Sequence, residues 1–200
     1  MGLRERKKEE LRIALSWAAI RLTVERGFDN VKVEDIAAEA GVSPRTFNNY
    51  FSSKAEAIAA RQYERFAQIA QELRARPDDE PLWEAIGHAV QARFALGMTE
   101  DEAPFDERWS AGVKLMLQHP AIQGELLRAG RTAQEELAAA VAERTGTDLD
   151  RDLYPHLVAG SVTAALSAVA ELLLRADSRP PAADLLRDAF HQVTAGLPTL

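Results

Sequence analysis

Apolar residues recur at three- and four-residue steps through nearly all of this 200-residue chain, and no stretch shows the strict alternation of a half-buried strand. That period commits the chain to helices. Leu11, Ala14, Leu15, Ala18 and Leu22 mark one face of a first helix, which Gly27 stops. A short second helix is expected over about Val33 to Ala40. Ser53, with Glu56 three residues on, reads as a capping box opening a helix to about Arg74. Further helices are expected at about 81–97, 105–118, 120–129, 131–145, 151–176 and 182–195. Their breaks fall at Pro104, His119-Pro120, Gly130, Gly146 and 178–181. The expected fold is therefore all-α with about nine to ten helices: an N-terminal three-helix module and a larger C-terminal helical bundle. The expected domains are 1–54 and 55–200, with the helix 54–74 connecting them.

Composition narrows the setting. An apolar content of 46% with 28% charged residues belongs to a soluble globular protein. With no cysteine there is neither a disulfide framework nor a thiolate metal site. The basic N-terminus is followed by no compact apolar region with a cleavage site, so a cytoplasmic protein is expected. The stretch Leu157 to Leu174 reaches the length of a short membrane span, but Ala, Gly, Ser, Thr and Glu171 dilute it. It reads as a buried bundle helix, with no membrane partner. The net charge of −7 divides unevenly. Residues 1–54 carry 10 basic and 8 acidic residues, and the remainder 14 and 23. The positive part is where the most specific motif lies, and nucleic-acid binding needs only a local basic face.

That motif is "AAEAGVSPRTFNNYF", two short helices joined by a tight turn containing Gly, the pattern of a helix-turn-helix. Ala37 lets the helices cross closely. Gly41 takes a left-handed turn conformation at little cost. Val42 plugs the angle between the helices. Ser43 is a good N-cap, with Pro44 suited to the first helical position.

On a helical wheel of the following segment, Phe47 and Phe51 lie about 40° apart and define the buried edge. Arg45 and Asn49 point the opposite way, with Asn48 and Thr46 on the flanks. A face of this kind suits a major groove, where Asn pairs bidentately with adenine and Arg with guanine. Tyr50 and Lys54 stand nearer the rim, where hydroxyl and ammonium donors reach phosphates. The expected DNA-binding residues are Ser43, Arg45, Thr46, Asn48, Asn49, Tyr50 and Lys54, and the expected partner is double-stranded operator DNA.

The stretch "VKVEDIAAEAGVSPRTFNNYFSSKAEAI", residues 31–58, resembles the DNA-binding segment of the TetR family of bacterial transcriptional regulators. The preceding "ALSWAAIRLTVERGFDNVKVEDIA" is similar to that family's first helix and its connection. The resemblance implies a homodimer, a divergent C-terminal ligand-binding domain, and repression relieved by a small molecule. It also implies a recognition helix at Ser43–Phe51 and a phosphate contact at Lys54. The sequence departs from the family at Asn48, where an aromatic residue is common. "TFNNYFSSK" is similar to a branch whose effectors are acyl-CoA-like.

The remaining constellations are less specific. His88, His119, His156 and His191 are scattered with no i,i+4 pair, which suits hydrogen-bonded or surface histidines better than a metal site. Asp101, Glu102, Asp106 and Glu107 read as a solvated acidic loop around Pro104. No phosphate loop or nucleophile elbow is present, so neither a catalytic residue nor a cofactor is expected. Trp83, Ile86, Val90, Phe94 and Met98 form one helical stripe, and Phe105, Trp109, Val113, Met116 and Leu117 another. Such stripes are ordinary core, yet two of them can also line an apolar cavity, with Arg93 and Arg108 near enough in sequence to meet an anionic head group. Phe94, Met98, Trp109 and Met116 are the expected effector residues. Two readings stay open: a ligand-responsive DNA-binding regulator, and a small-molecule-binding helical bundle or enzyme whose N-terminal module serves another role.

Overall fold

The computed structural model describes residues 2–96, 107–175 and 181–197, except the side chains of Leu3, Gln62, Arg65, 93–96, Glu107, Leu174 and Arg175. Met98, Phe105 and the acidic run from Asp101 to Asp106 lie outside the described residues, as do the side chains of Arg93 and Phe94. Among the described residues every regular element is helical. In chain order these are α1 (Leu3–Arg26), one 3-10 turn (Phe28–Asn30), α2 (Val33–Glu39), α3 (Pro44–Asn48) and α4 (Lys54–Ala75). There follow α5 (Leu82–Leu96), α6 (Glu107–Gln118), α7 (Pro120–Thr145), α8 (Leu153–Arg175) and α9 (Ala182–Thr194).

Two expected elements differ. The helices placed at 120–129 and 131–145 are one continuous helix, α7, with Gly130 in its interior. An interior Gly costs about 1 kcal/mol against Ala, too little to break a helix when strong helix formers such as Leu126, Leu127, Arg128, Ala129, Arg131 and Ala133 flank it. Gly146, at φ +66°, takes a left-handed conformation just beyond α7. The recognition helix expected over Ser43–Phe51 is shorter, ending at Asn48 with Asn49 as its C-cap.

The described residues gather into two compact units, each with its own core, and their division does not follow the expected boundary at residue 54. The first unit comprises 2–64 and 107–129. Leu15, Ala18 and Ala19 of α1, Ile36 and Ala37 of α2, and Phe47 of α3 are fully buried in it. Met116 and Ile122 belong to the same core, so Met116 packs among the residues of the helix-turn-helix module. Here α6 lies tightly on α1: a Cβ added at Gly112 would stand 2.8 Å from the Val24 carbonyl oxygen and 2.6 Å from Val24 Cγ1.

The second unit comprises 65–96, 130–175 and 181–197. The α5 stripe is core there, with Ile86 and Val90 fully buried beside Val162 and Leu166 of α8 and Leu186 of α9. Arg74 near the end of α4 holds Glu143 of α7 through two hydrogen bonds, at 2.7 and 3.0 Å. In the connection to α5, Arg76 grips Glu80 through two bonds of 2.6 Å, and His88 approaches the same carboxylate at 2.6 Å. The Arg76 bonds, with help from His88, hold the Glu80 carboxyl at about 2. Helix α8 contains a segment, Leu153–Leu173, long and apolar enough by composition to cross a membrane. One side of it, including Val158, Val162 and Val169, is buried in the core, while Leu157, Ala164, Ala168 and Leu172 are exposed on the single chain.

The contact at Gly112 supports a stability prediction. Gly112→Ala forces α6 away from the α1 backbone and should destabilise the protein by about 1–3 kcal/mol despite the better helix propensity of Ala. A melting temperature at or above that of the parent would contradict so close an approach.

Candidate nucleic-acid interface

The interface is built from the turn outward. Ile36 and Ala37 bury the inner face of α2, and the chain then reverses through Gly41 at φ +68°. The Gly41 and Val42 amides donate to the carbonyls of Ala38 and Ala37, at 3.0 and 2.9 Å, which closes the turn. Ser43 Oγ accepts from the Thr46 amide at 3.1 Å and lies 2.9 Å from the Thr46 hydroxyl. Both hydroxyls therefore serve the cap that starts α3, with Pro44 behind it.

Helix α3 hangs on its two aromatic residues. Phe47 and Phe51 are buried with ring centroids 5.7 Å apart, while Arg45, Asn48 and Asn49 are exposed. The wheel geometry is thus realised even though the helix is short. Tyr50 is half-buried and packs against the core. The amides of α3 open onto two grooves. Asn48 lines one with Lys32, Glu34, Asp29, Ser53 and Lys54, and Asn49 lines the other with Lys8, Arg12, Glu5, Glu9, Tyr50 and Tyr63. Cations and carboxylates share both grooves, so neither presents a broad positive field.

Lys54 is placed differently from the expectation of a rim phosphate contact. Its Nζ donates to the backbone carbonyls of Phe28 and Val31, at 2.5 and 2.7 Å, and sits 4.0 Å from the centroid of the Phe28 ring. The side chain is a clamp between the start of α4 and the 3-10 turn, with one donor and its charge left over. Nearby, Ser53 Oγ accepts from the Glu56 amide at 3.0 Å, but the Glu56 carboxylate reaches Ser52 rather than Ser53, accepting from its amide at 2.7 Å and its hydroxyl at 2.6 Å. His119 stacks on the other neighbour of this corner, its ring 4.1 Å from that of Phe28, and its Nδ1 accepts from the Ala121 amide at 3.3 Å, as a helix-start residue does. His156 is bonded to the Leu149 carbonyl at 2.7 Å.

One group escaped the sequence reading. Glu64 of α4 is buried and receives Arg12 of α1 and Arg61, the latter at 3.2 Å. The Arg12 guanidinium lies over the Phe51 ring at 5.4 Å, and that of Arg61 over Trp17 at 5.2 Å. Burial pushes the Glu64 carboxyl up, against the pull of the two arginines. The signal was present as a second α4 face, Ala57, Ala60 and Glu64 at helical spacing, where small residues mark close packing. Of the expected effector residues, Trp109 is half-buried on α6 and Met116 is core.

Comparison with known proteins agrees with this geometry. Residues 17–60 match the family described as "Bacterial regulatory proteins, tetR family", and residues 80–198 match the "MftR C-terminal domain". The chain is similar to the HTH-type transcriptional regulator TcmR of Streptomyces glaucescens, at 32% identity over 181 residues, covering 88% of this chain and 79% of that one. It is also similar to the regulator MftR of Mycobacterium tuberculosis, at 29% identity over 186 residues, covering 93% and 90%. In fold it is similar to the fatty acid degradation regulator FadR from Bacillus halodurans, with TM-score 0.61 at 15% identity, covering 95% of this chain and 97% of that one.

The outward and clamped positions respond differently to truncation. Asn49→Ala should leave melting unchanged and lower discrimination at one base-pair position by about 1–3 kcal/mol. Lys54→Ala should weaken binding to every DNA sequence and also destabilise the fold by about 1–3 kcal/mol, because the Val31 carbonyl loses the Lys54 donor and the Phe28 carbonyl keeps only the Val31 amide. Competition titrations with single-base-pair variants, beside melting curves, separate the two; an early-melting Asn49→Ala protein would contradict its outward placement.

Proposed function

We infer, because the chain belongs to the TetR family of bacterial transcriptional regulators, that it is a cytoplasmic repressor whose Arg45, Asn48 and Asn49 read operator DNA in the major groove. The observation that carries this reading is the exposure of those three side chains on α3 and its C-cap, while Phe47 and Phe51 of the same segment are buried. Arg and Asn are the residues that pair bidentately with guanine and adenine. Ser43 and Thr46 hold the start of α3, while Tyr50 and the remaining donor of Lys54 serve phosphates. Functionally, residues 1–54 form the DNA-reading domain and 55–200 the ligand-binding and dimerisation domain, with α4 joining them.

TetR regulators act as dimers. We place the interface of this one on α8 and α9. The outward stripe Leu157, Ala164, Ala168 and Leu172 is more apolar surface than a peripheral helix needs, and its small residues allow close helix approach. Two copies also supply two reading heads for paired half-sites, where one short helix would bind too briefly. Leu157→Arg should convert the dimer to the 22.0 kDa chain and abolish operator binding. Sedimentation of the parent as that single chain at micromolar concentration would overturn the assignment.

The effector is proposed to be apolar or amphipathic and bound within residues 81–175, with Phe94, Met98, Trp109 and Met116 as the candidate residues. Acyl-CoA esters are the first class to test, on the likeness of "TFNNYFSSK" to regulators with such effectors. An effector that favours the non-binding conformation by about 3 kcal/mol lowers operator affinity roughly a hundredfold, and the operator must weaken effector binding by the same factor. Titration of acyl-CoA esters with and without operator DNA, on the parent and on the Phe94→Ala and Trp109→Ala proteins, tests this. Affinity indifferent to DNA would end the induction reading, and affinity indifferent to both substitutions would move the site elsewhere.

A further inference from the structure

Glu64 is a carboxylate taken out of water at the place where α1, the end of α3 and α4 meet. Its side chain is 7% exposed, and its two oxygens are divided between Arg12 and Arg61. Such an arrangement is a poor device for stability alone. The desolvation of a buried ion pair offsets most of its Coulomb attraction, and packed hydrocarbon of similar volume commonly serves as well or better. Its rising carboxyl pKa is the mark of that cost. What an ion network does better than hydrocarbon is fix directions, because its hydrogen bonds have only one satisfactory geometry.

The directions fixed here lead to the reading face. Arg12 is held by Glu64 and lays its guanidinium over Phe51, 5.4 Å from the ring centroid. Phe51 closes the segment that begins at α3, and Asn49 stands two residues before it. Asn49 and Arg12 line the same groove. Helix α3 is 5 residues long and cannot set its own angle by its own hydrogen bonds, so the cover on Phe51 helps to set it. Two neighbours of the network are also oriented by it: Arg61 lies over Trp17 of α1, which holds the opposite side of Glu64 to the same helix.

We propose that Glu64 is a positioning residue for base recognition, holding Arg12 over Phe51 so that Asn49 meets its base edge in bidentate register. It makes no contact with DNA. The inference rests on the DNA-reading function proposed above and adds a residue that acts through α1 and Phe51 rather than on the duplex. A bidentate contact tolerates only about 0.5 Å of misplacement, so a network that fixes the angle of α3 is felt as specificity before it is felt as affinity for DNA in general.

The test uses the full-length chain and an operator recovered by selecting bound fragments with the unaltered protein. Three quantities are measured for Glu64→Gln and for the double variant Arg12→Met, Glu64→Met: melting temperature, binding to random duplex across a salt series, and binding to the operator and its single-base-pair variants. For Glu64→Gln, which keeps every cation of the face, the expected result is unchanged binding to random duplex with an unchanged salt slope, and about a tenfold loss on the operator that is concentrated at the positions Asn49→Ala also affects. The double variant, whose pair is replaced by hydrocarbon, should melt no lower than the parent and still show the flattened profile. Operator affinity and base discrimination equal to the parent in either folded variant would overturn the proposal. Failure of both variants to fold would overturn it too, since the network would then be holding the fold rather than the reading angle. Failure of the unaltered protein to select any sequence would instead remove the DNA-reading premise on which the proposal stands.

Discussion

Two buried rings, Phe47 and Phe51, hold in place everything the N-terminal unit presents outward. A helix of 5 residues has no stability of its own in water, because nucleation costs more than so few hydrogen bonds return. Helix α3 exists because its aromatic edge is committed to the core, where truncating one such ring costs about 3–5 kcal/mol. The turn at Gly41 and the cap at Ser43 then determine where the helix begins, and the Phe51 ring where the chain must leave it. Lys54 and Glu64 act on the same segment from its far side. One ties the start of α4 to the 3-10 turn, and the other ties α4 to α1 across Phe51.

Much of this was legible in the sequence, and for identifiable reasons. The helical period is a repeated signal, so α4, α5, α6, α8 and α9 could be located to within a few residues, and α7 as two pieces. The turn is a local signal, and Gly41, Ser43 and Pro44 each act within a few residues of themselves. Gly130 misled because propensity is a weak preference that a continuing run of strong helix formers on both sides overrides. The clamp that Lys54 forms was hidden for a different reason. The carbonyls that capture its ammonium come from Phe28 and Val31, 26 and 23 residues earlier, and no local pattern records that approach. Glu64 was hidden by the ordinary rule that a charge on a helix is a solvated charge. The packing of Met116 was not legible because a stripe reveals only that a side chain is buried, not in which core.

Electrostatics frames the recognition problem. The chain is acidic overall, and even the grooves flanking α3 mix lysine and arginine with glutamate and aspartate. Non-specific attraction to the phosphate backbone scales with the number of cations that meet phosphates. A face this balanced gains little from a wrong sequence. On the proposed reading, discrimination would rest on a few amide and guanidinium contacts, which places a premium on holding them still and on doubling them by symmetry.

The division of labour along α3 has a consequence for the protein's history. Its core anchors are Phe47 and Phe51, whereas Arg45, Asn48 and Asn49, the residues proposed to read bases, are exposed. Substitutions at the three exposed positions are nearly free of a folding penalty, so lineages can explore new target sequences one side chain at a time while the scaffold stays intact. The same separation lets a duplicated gene acquire a different set of targets before any change reaches its core.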